Sequence, residues 1–419
     1  MPKFVHRFRI VGHSAIYLGS SATGKLIAFL LLPIVTAYLS PADYGKWSTY
    51  QALLSAMACL VGLNLQTNIT RSYFRVDRGE LSKLLAHLFM TLGGSTLVVS
   101  SLCYPFWVSE TPAAIELDWL VALPLVAAIQ TVSSLNLTLL RLEQKPWAFA
   151  SLEVGSGLIY AAMLYALLTL GWGWTSQVIS LWTSSLIFAA VSAVQLAMGH
   201  RLWHPPDTRC FRSILAISLP QVPNMLAGFA LALGDRLLIQ YYLGLEAVGV
   251  YGIAYNLGLV MQTFCDSVFK AWNPVMYRSL AEADLQLPSV VRQIRWVMLG
   301  LLVVAAAFVA ILKPLATWIL PESYRPALNI VWIVVASYWV RALYQIGHAL
   351  LIHVGNTRPL IRANILAAIA NVALNVWLLP DYGIEAAAWN TLAGYAIAAA
   401  ITLSYQQRQF PLPWRELFG

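Results

Sequence analysis

The chain has few charged residues: of 419 residues, only 11% are charged, whereas 59% are hydrophobic. A soluble domain has about a quarter of its residues charged, so this composition excludes the ordinary soluble classes. A transmembrane β-barrel would show weakly alternating segments of about ten residues, which the sequence lacks. The first twelve residues are basic and the first apolar run is full-length, so we expect no cleaved signal peptide.

Cysteine and nucleotide-binding motifs are also scarce. None of the four cysteines has a metal-site spacing, and three fall in apolar segments, which is typical of small buried hydrophobic residues. There is no G-x-x-x-x-G-K-[ST] loop for a nucleotide phosphate. The sequence therefore predicts no metal and no cofactor. Its net charge of +8 does not require a nucleic-acid partner, because the positive-inside rule explains it better.

Long apolar runs recur from end to end, and each can cross the ~30 Å hydrocarbon core of a bilayer as a helix. The predicted fold class is all-α, a polytopic membrane protein of about twelve transmembrane helices. Proline- and glycine-rich turns separate these helices; they are Ser40-Pro41, Gly171-Trp-Gly173, Pro205-Pro206, Asn273-Pro274, Arg358-Pro359 and Pro380-Asp381. The predicted helices span residues 13–39, 46–69, 83–108, 117–141, 147–170, 175–199, 212–243, 248–272, 288–313, 326–353, 359–379 and 384–407.

The distribution of lysine and arginine predicts the orientation. If the N-terminus is cytoplasmic, nineteen of the 26 basic residues lie in cytoplasmic segments, and only Lys46, Lys313 and Arg325 face outward. We therefore expect both termini in the cytoplasm. The remaining four basic residues lie inside apolar segments.

The two halves of the chain, residues 1–205 and 206–419, contain six predicted helices each and show an internal repeat. The segment from Tyr38 to Trp47 parallels the segment from Tyr242 to Tyr251 without a gap, which makes Gly45 equivalent to Gly249. Because each half has an even number of helices, the two bundles are predicted to be related by a pseudo-twofold axis along the membrane normal. Transporters built this way hold their substrate between the halves.

Ionisable residues inside the membrane need shelter, since each costs roughly 2.5–3.5 kcal/mol in hydrocarbon. Asp235 and Arg236 interrupt one apolar run, and neighbouring helical residues point about 100° apart. We therefore expect each to find a partner on another helix rather than to pair with the other. Asp266 precedes Lys270 by four residues, the favourable order for an ion pair. Alternatively, Lys270 extends to the cytoplasmic interface.

Polar residues follow helical spacing in several helices. In the predicted eighth and tenth helices, ionisable groups lie among aromatic residues, which favours a water-filled cavity lined by both halves. For uncharged stripes such as Asn371 and Asn375, hydrogen bonding between helices is the preferred interpretation. The residues predicted to line the cavity are Tyr251, Tyr255, Gln262, Tyr344, Gln345, His348 and Asn224.

The predicted cavity contains more bases than acids. The expected substrate-binding bases are Lys25, Arg236, Lys270 and Arg341. A surplus of positive charge suits an anion such as a diphosphate, which arginine binds through paired planar donors and lysine as a point charge. Asp235 and Asp266 are the candidates for ion coupling or gating, because an intramembrane acid can relay a proton.

Three stretches carry a resemblance to a known family: Gly234–Ile239, Tyr242–Tyr251 and Leu379–Ala388. They resemble the polysaccharide repeat-unit flippases (O-antigen type, Wzx-like) of the MATE-like MOP exporter superfamily. The resemblance implies movement of an undecaprenyl-diphosphate-linked oligosaccharide across the bacterial inner membrane by alternating access, driven by a proton or sodium gradient. It further suggests a polysaccharide polymerase and a chain-length regulator as partners.

Two other functions remain open. A drug or organic-cation antiporter of the same fold would prefer an acidic, apolar cavity, whereas this one has surplus bases. A polyprenyl-glycan polymerase or ligase usually needs a sizeable outward domain, and the predicted outward connections are short. We therefore expect a transporter rather than an enzyme.

Overall fold

A computed structural model describes residues 16–17, 19–20, 23–24, 26–27, 29–109, 115–281 and 287–414. Its regular secondary structure is helical throughout the described ranges, which confirms the predicted all-α class. The helices are α1 (Phe29–Tyr38), α2 (Pro41–Gly62), α3 (Gln66–Ser72), α4 (Arg78–Ser109), α5 (Leu117–Val121), α6 (Leu123–Leu142), α7 (Pro146–Thr169), α8 (Thr175–Gly199), α9 (Thr208–Ser218), α10 (Val222–Ala232), α11 (Asp235–Leu243), α12 (Leu245–Ala281), α13 (Leu287–Ile319), α14 (Ala327–Val354) and α15 (Arg358–Gln409).

Within the described residues, nine helical segments are long and apolar enough to cross a membrane, or ten if the bent pair α2–α3 is one span. One of the nine, α15, is two helices merged across a kink at Gly383, so it contains the predicted eleventh and twelfth helices. The predicted first helix contains α1, and the residues described before α1 are also helical; the rest of its first part lies outside the described residues. With α15 counted as two helices and α2–α3 as one span, the described residues contain eleven spans, and the shorter helix α1 belongs to the predicted first helix.

The predicted turns at Asn273-Pro274 and Pro380-Asp381 are wrong. The helix α12 continues through Pro274 to Ala281, and α15 continues past Pro380. Membrane helices tolerate proline because neighbouring groups can satisfy the freed carbonyl. The chain turns instead at Gly383, which has φ 66°, a left-handed conformation that glycine adopts without a side-chain clash.

Two predicted helices are broken. The predicted second helix begins at Pro41, bends by 44° between α2 and α3, and contains Leu63 and Asn64 at φ 46° and 52°. The predicted seventh helix consists of α9, a 3₁₀ turn at Leu219–Gln221, α10 and α11. Apolar periodicity runs through these breaks, so it does not reveal them.

The first compact unit, unit 1, comprises residues 1–39 and 46–226. In it, α8 packs against α6 and α7. Polar pairs connect its helices: Asn136 Nδ2 donates to Gln195 Oε1 at 2.7 Å, and Trp182 Nε1 donates to the Tyr50 hydroxyl at 2.8 Å. Such pairs satisfy polar groups that face no water in a bilayer.

The second compact unit, unit 2, comprises residues 40–45 and 227–419. Here α14 packs against α12, α13 and α15. The first turn of α2 thus belongs to unit 2, while the rest of that helix belongs to unit 1. The predicted halves 1–205 and 206–419 follow the sequence repeat, and their role as two moving bundles stays a prediction.

Candidate functional site

The predicted charges Asp235 and Arg236 open α11 and are almost fully buried, at 1% and 6% exposure. A carboxylate in the first turn of a helix is favoured by the free amides there. Contrary to our expectation, the two neighbours do form an ion pair, with Arg236 Nη1 3.7 Å from Asp235 Oδ1. The flexible arginine side chain folds back along its own helix, which the 100° separation of the Cβ directions does not prevent.

The Asp235 carboxylate also binds two other helices, as predicted. Its Oδ2 accepts a hydrogen bond from the Tyr251 hydroxyl of α12 and one from Thr391 Oγ1 of α15 at 3.4 Å. Its Oδ1 accepts no hydrogen bond from the described residues. The Arg236 guanidinium donates to the Ala232 carbonyl oxygen at 3.2 Å and lies 5.4 Å from the centroid of the Tyr255 ring. We call Asp235, Arg236, Tyr251, Tyr255 and Thr391 the Asp235 cluster.

A chain of buried amides extends from this cluster into α15. Asn371 Nδ2 donates to Thr391 Oγ1 at 3.5 Å, and Asn375 Nδ2 donates to Asn371 Oδ1 at 3.2 Å. Asn390 Nδ2 then donates to Asn375 Oδ1 at 3.1 Å. The bonds join the segments before and after Gly383. Hydrogen bonding between helices is therefore confirmed for the Asn371 and Asn375 stripe.

A second polar cluster, the Asp266 cluster, consists of Asp266, Arg341 and Gln345. Arg341 Nη1 and Gln345 Nε2 of α14 donate to the same oxygen, Asp266 Oδ1 of α12, at 2.9 and 2.6 Å. The Arg341 and Asp266 side chains are 23% and 21% exposed. Arginine carries further donors beyond the one that the carboxylate uses, so this cluster can bind an additional acceptor.

The predicted pairing of Asp266 with Lys270 is wrong, because Asp266 pairs with Arg341. Lys270 is exposed and forms no ion pair with any residue in the described ranges. The planar guanidinium reaches across from another helix and binds together with Gln345, which a lysine one turn along the same helix cannot reproduce. The alternative, extension of Lys270 to the membrane interface, stays a prediction.

Aromatic rings connect the two clusters. The Tyr251 and Tyr255 ring centroids are 4.6 Å apart, and Tyr255 meets Tyr338 edge-on at 6.5 Å. Tyr338 lies three residues before Arg341 on α14, so both point to the same face. Tyr338 was not among the predicted site residues, although it extends the predicted polar stripe of α14 by one turn.

A second missed set lies on the last helix. The polar residues there are buried, and their spacing follows one helical face, which is the signal that could have revealed them. They are Thr391, Tyr395, Thr402 and Gln406.

The other predicted site residues have different positions. Tyr344 and His348 face each other on α14 with ring centroids 5.8 Å apart, and Gln262 is half-buried on α12. Asn224 belongs to unit 1, unlike the two clusters. Lys25 lies outside the described residues. The structure thus brings together in unit 2 most of the predicted polar residues and both predicted acids.

The chemistry available differs between the clusters. The described residues contain no group of three His, Cys, Asp or Glu side chains that could hold a metal ion. The Asp235 carboxylate, the Thr391 hydroxyl and the neighbouring amides are hard oxygen donors, the type that hard cations prefer. The Asp266 cluster instead offers arginine and amide donors, which suit an oxyanion.

Comparison with known proteins identifies the kind of chain that carries these clusters. A sequence profile of a family described as polysaccharide biosynthesis protein matches residues 11–280. The chain is 22% identical over 349 residues to protein 1 of the Lsg locus of Haemophilus influenzae, covering 79% of this chain and 78% of that protein.

Solved structures with a similar fold are transporters. Lipid II flippase MurJ in an inward closed conformation aligns with a TM-score of 0.73 at 13% identity, covering 97% of this chain and 89% of MurJ. An inward-facing MATE multidrug resistance transporter of the MOP superfamily aligns with a TM-score of 0.67 at 13% identity, covering 92% and 94%. These similarities show that the chain has the twelve-helix fold of MOP transporters.

Proposed function

The chain belongs to the polysaccharide biosynthesis protein family, and from that premise we propose that it is a flippase for lipid-linked oligosaccharides. Its substrate is an undecaprenyl-diphosphate-linked repeat unit of an O-antigen, capsule or exopolysaccharide. It carries this unit from the cytoplasmic to the periplasmic leaflet of the bacterial inner membrane by alternating access, with both termini in the cytoplasm. The family assignment and the transporter fold support this proposal.

The Asp266 cluster is the observation that best supports an anionic substrate. Arg341 is held by one carboxylate oxygen, and its partial exposure leaves guanidinium donors available. A diphosphate can replace Asp266 as the acceptor, because guanidinium binds phosphate through two parallel hydrogen bonds. Gln345 and the adjacent tyrosines can donate to or stack against sugars. Asp266 compensates the arginine charge when no substrate is bound.

The Asp235 cluster supports coupling to an ion gradient. A carboxylate buried beside hydroxyl and amide oxygens can accept either a proton or a sodium ion, and each would weaken its pairing with Arg236. The tyrosines between the clusters offer a physical connection from this event to Arg341. We therefore assign ion coupling to Asp235 and substrate binding to Arg341.

The test of the substrate is reconstitution. Purified protein in proteoliposomes is given a fluorescent polyprenyl-diphosphate saccharide, and transbilayer movement is followed with no gradient, a proton gradient or a sodium gradient. We expect movement that accelerates with one of the two gradients. Acceleration by a sodium gradient at constant pH identifies sodium as the coupling ion. Acceleration by a pH difference without sodium identifies the proton as the coupling ion.

Arg341→Ala is expected to abolish that movement. The matched control is Arg325→Ala, since Arg325 also pairs with an acid, Glu322, at 2.7 Å, but at an exposed position. The control should move substrate at the normal rate. If Arg341→Ala retains full activity, the anion site lies elsewhere.

A drug or cation antiporter of the same fold is the second candidate, favoured by the similarity to the MATE transporter. An antiporter would export a cationic dye. This efflux would depend on Asp235 and would continue in Arg341→Ala. Dye accumulation in cells separates the two functions, because the flippase leaves dye accumulation unchanged. A polymerase or ligase function finds no supporting observation in the described residues.

A further inference from the structure

The first turns of α2 and α12 cross in unusually close contact. An ideal Cβ built on Gly45 would lie 1.9 Å from the Leu245 carbonyl oxygen, and one built on Gly249 would lie 1.9 Å from the Pro41 carbonyl oxygen. Real Cβ atoms do not approach backbone oxygens this closely. Only glycine therefore fits at these two positions while the helices stay in this contact.

The contact is reciprocal. Each helix offers the carbonyl of its first residue, Pro41 or Leu245, to the glycine at the fifth residue of the other. The internal repeat makes these positions equivalent, because the segment from Tyr38 parallels the segment from Tyr242 with Gly45 opposite Gly249. Equivalent residues of the repeat therefore make the two halves of this contact.

Residues Ser40–Gly45, which we call the strap, pack with unit 2 although the rest of α2 belongs to unit 1. The strap is locally ordered, because Asp43 N donates to Ser40 Oγ at 3.1 Å and Ser40 Oγ donates to Asp43 Oδ2 at 2.8 Å. Its Tyr44 is buried at 4% exposure. The strap is therefore a preformed helical turn, and Tyr44 anchors it.

The Tyr44 side chain connects the strap to the Asp235 cluster. Asn256 Nδ2 donates to the Tyr44 hydroxyl, and Tyr44 meets the fully buried Tyr324 edge-on at 6.3 Å. Asn256 directly follows Tyr255, whose ring lies against the Arg236 guanidinium. Movement of Tyr44 would therefore remove the hydrogen-bond acceptor of Asn256, the α12 residue next to Tyr255.

We propose that the strap closes the outer end of unit 2 through the Gly45–Gly249 crossing, and that Tyr44 is a positioning residue for the Asp235 cluster. When the crossing separates, Tyr44 leaves Asn256, and the turn of α12 that carries Tyr255 loses this hydrogen bond. Opening of the outer end is thereby linked to the charge pair. This inference rests on the proposed function only in assigning this end to the periplasmic side.

A cysteine reporter tests the crossing without any substrate. Val248, next to Gly249, is fully buried, so Val248→Cys is introduced after replacement of Cys59, Cys103, Cys210 and Cys265. The rate of modification by a hydrophilic maleimide is measured on the full-length protein in nanodiscs. Adding Gly45→Ala or Gly249→Ala should raise this rate by about tenfold or more, because overpacking shifts the closed crossing toward the open state.

The matched control is Gly94→Ala, a substitution in α4 at a glycine with nothing within 4 Å of an added Cβ. It should leave the labelling rate unchanged. An unchanged rate in both Gly45→Ala and Gly249→Ala, or an equal rise in the Gly94→Ala control, overturns the proposal. Because no transported molecule is involved, failure of the flippase assignment would leave this result unaffected.

Tyr44→Phe tests the anchor with little risk to folding. It removes the hydroxyl that Asn256 binds but keeps the ring against Tyr324. We expect faster labelling of Val248→Cys, by a few-fold, since a hydrogen bond contributes about that much to a local equilibrium. Transport should also become less dependent on the ion gradient in Tyr44→Phe, an effect that loss of a purely structural bond would not cause. Unchanged labelling with unchanged gradient dependence rejects the positioning role.

Discussion

The two acid–arginine pairs of unit 2 differ in burial and in geometry. Asp235 and Arg236 have side chains that are 0% and 7% exposed, and Arg236 Nη1 lies 3.7 Å from Asp235 Oδ1. Asp266 and Arg341 are 21% and 23% exposed and meet at 2.9 Å. The pair that most needs a close contact for its stability thus has the looser one. We infer that the buried pair is shaped for a change of state and the other for exchange of a ligand.

Physical chemistry supports this distinction. Desolvating two charges can cost more than their attraction returns, so a buried ion pair is weak evidence for stability. Its presence in a membrane helix is better explained by function. A partly exposed pair that faces the predicted water-filled cavity loses less solvation. The predictions below begin with the largest difference that we expect between the pairs.

Arg236→Met should destabilise the protein far more than Arg341→Met. The first leaves a buried carboxylate without its cation, which costs about 3–5 kcal/mol, whereas loss of the second pair should cost about 1 kcal/mol or less. Denaturant unfolding in detergent measures both. The double variant Asp235→Asn/Arg236→Met should recover much of the loss. Equal destabilisation by the two single variants would remove the distinction between the pairs.

Transport, unlike stability, should be more sensitive to changes in the Asp266–Arg341 pair than in the Asp235–Arg236 pair. Arg341→Lys keeps a positive charge beside Asp266 but loses the planar donors, so we expect about a tenfold slower movement of the diphosphate lipid with near-normal stability. The reconstituted assay measures this rate beside Arg325→Lys as control. A normal rate in Arg341→Lys would show that charge alone is sufficient.

Thr391→Val tests the role of the buried Asp235–Arg236 pair in ion coupling. It keeps the side-chain shape but removes a hydrogen bond to Asp235, which should cost about 1 kcal/mol. Thr402→Val is the control, because the Thr402 hydroxyl donates to carbonyls of its own helix. Only Thr391→Val should change the ion concentration that gives half-maximal transport. The same shift in both variants would argue against coupling through Asp235.

The smallest effect is expected at an ion pair in unit 1, between Lys83 and Asp207 at 2.5 Å. The Lys83 ammonium and the Arg209 amide hold the pKa of Asp207 below its usual value. A lowered pKa in the folded state stabilises the protein above the unfolded pKa of about 4, and this contribution is lost as pH falls through the folded pKa. Asp207→Asn should therefore slightly lower the melting temperature at neutral pH.

The melting-temperature difference between Asp207→Asn and the unmodified protein should shrink as the pH falls below about 4. Thermal unfolding across this range provides the measurement. A difference that stays constant with pH would assign the effect to the amide geometry of the variant rather than to the charge. Because the Lys83 and Asp207 side chains are both partly exposed, added salt should also reduce this melting-temperature difference.

The sequence predicted the helices and the polar faces better than the contacts between them. Apolar length and turn residues located the spans, and helical spacing identified Tyr251, Tyr255, Arg341 and Gln345. Spacing within one helix cannot choose a partner on another, so Asp266 was assigned to Lys270 instead of Arg341. Helical spacing also cannot predict that a long side chain folds back along its own helix, as Arg236 does toward Asp235.

Helix breaks and close crossings were also beyond the sequence. Apolar periodicity continues through Leu63 and Asn64, and it cannot show that Asn64 binds Gln221, which is distant in the sequence. Gly45 and Gly249 were recognised as equivalent, yet their equivalence gave no distance. The contact of each glycine with a carbonyl oxygen of the other helix can be seen only in the three-dimensional structure.

The broken helices of unit 1 have a mechanical consequence. The break after α2 lies against the break between α9 and α10, because Asn64 Nδ2 donates to Gln221 Oε1 at 2.7 Å and Asn68 Nδ2 donates to Ser218 Oγ at 2.8 Å. A bend at one break changes the distances that these bonds require at the other. The two interruptions therefore depend on each other, because a substitution that removes the Asn64 or Gln221 side chain also removes the hydrogen bond that joins the two breaks.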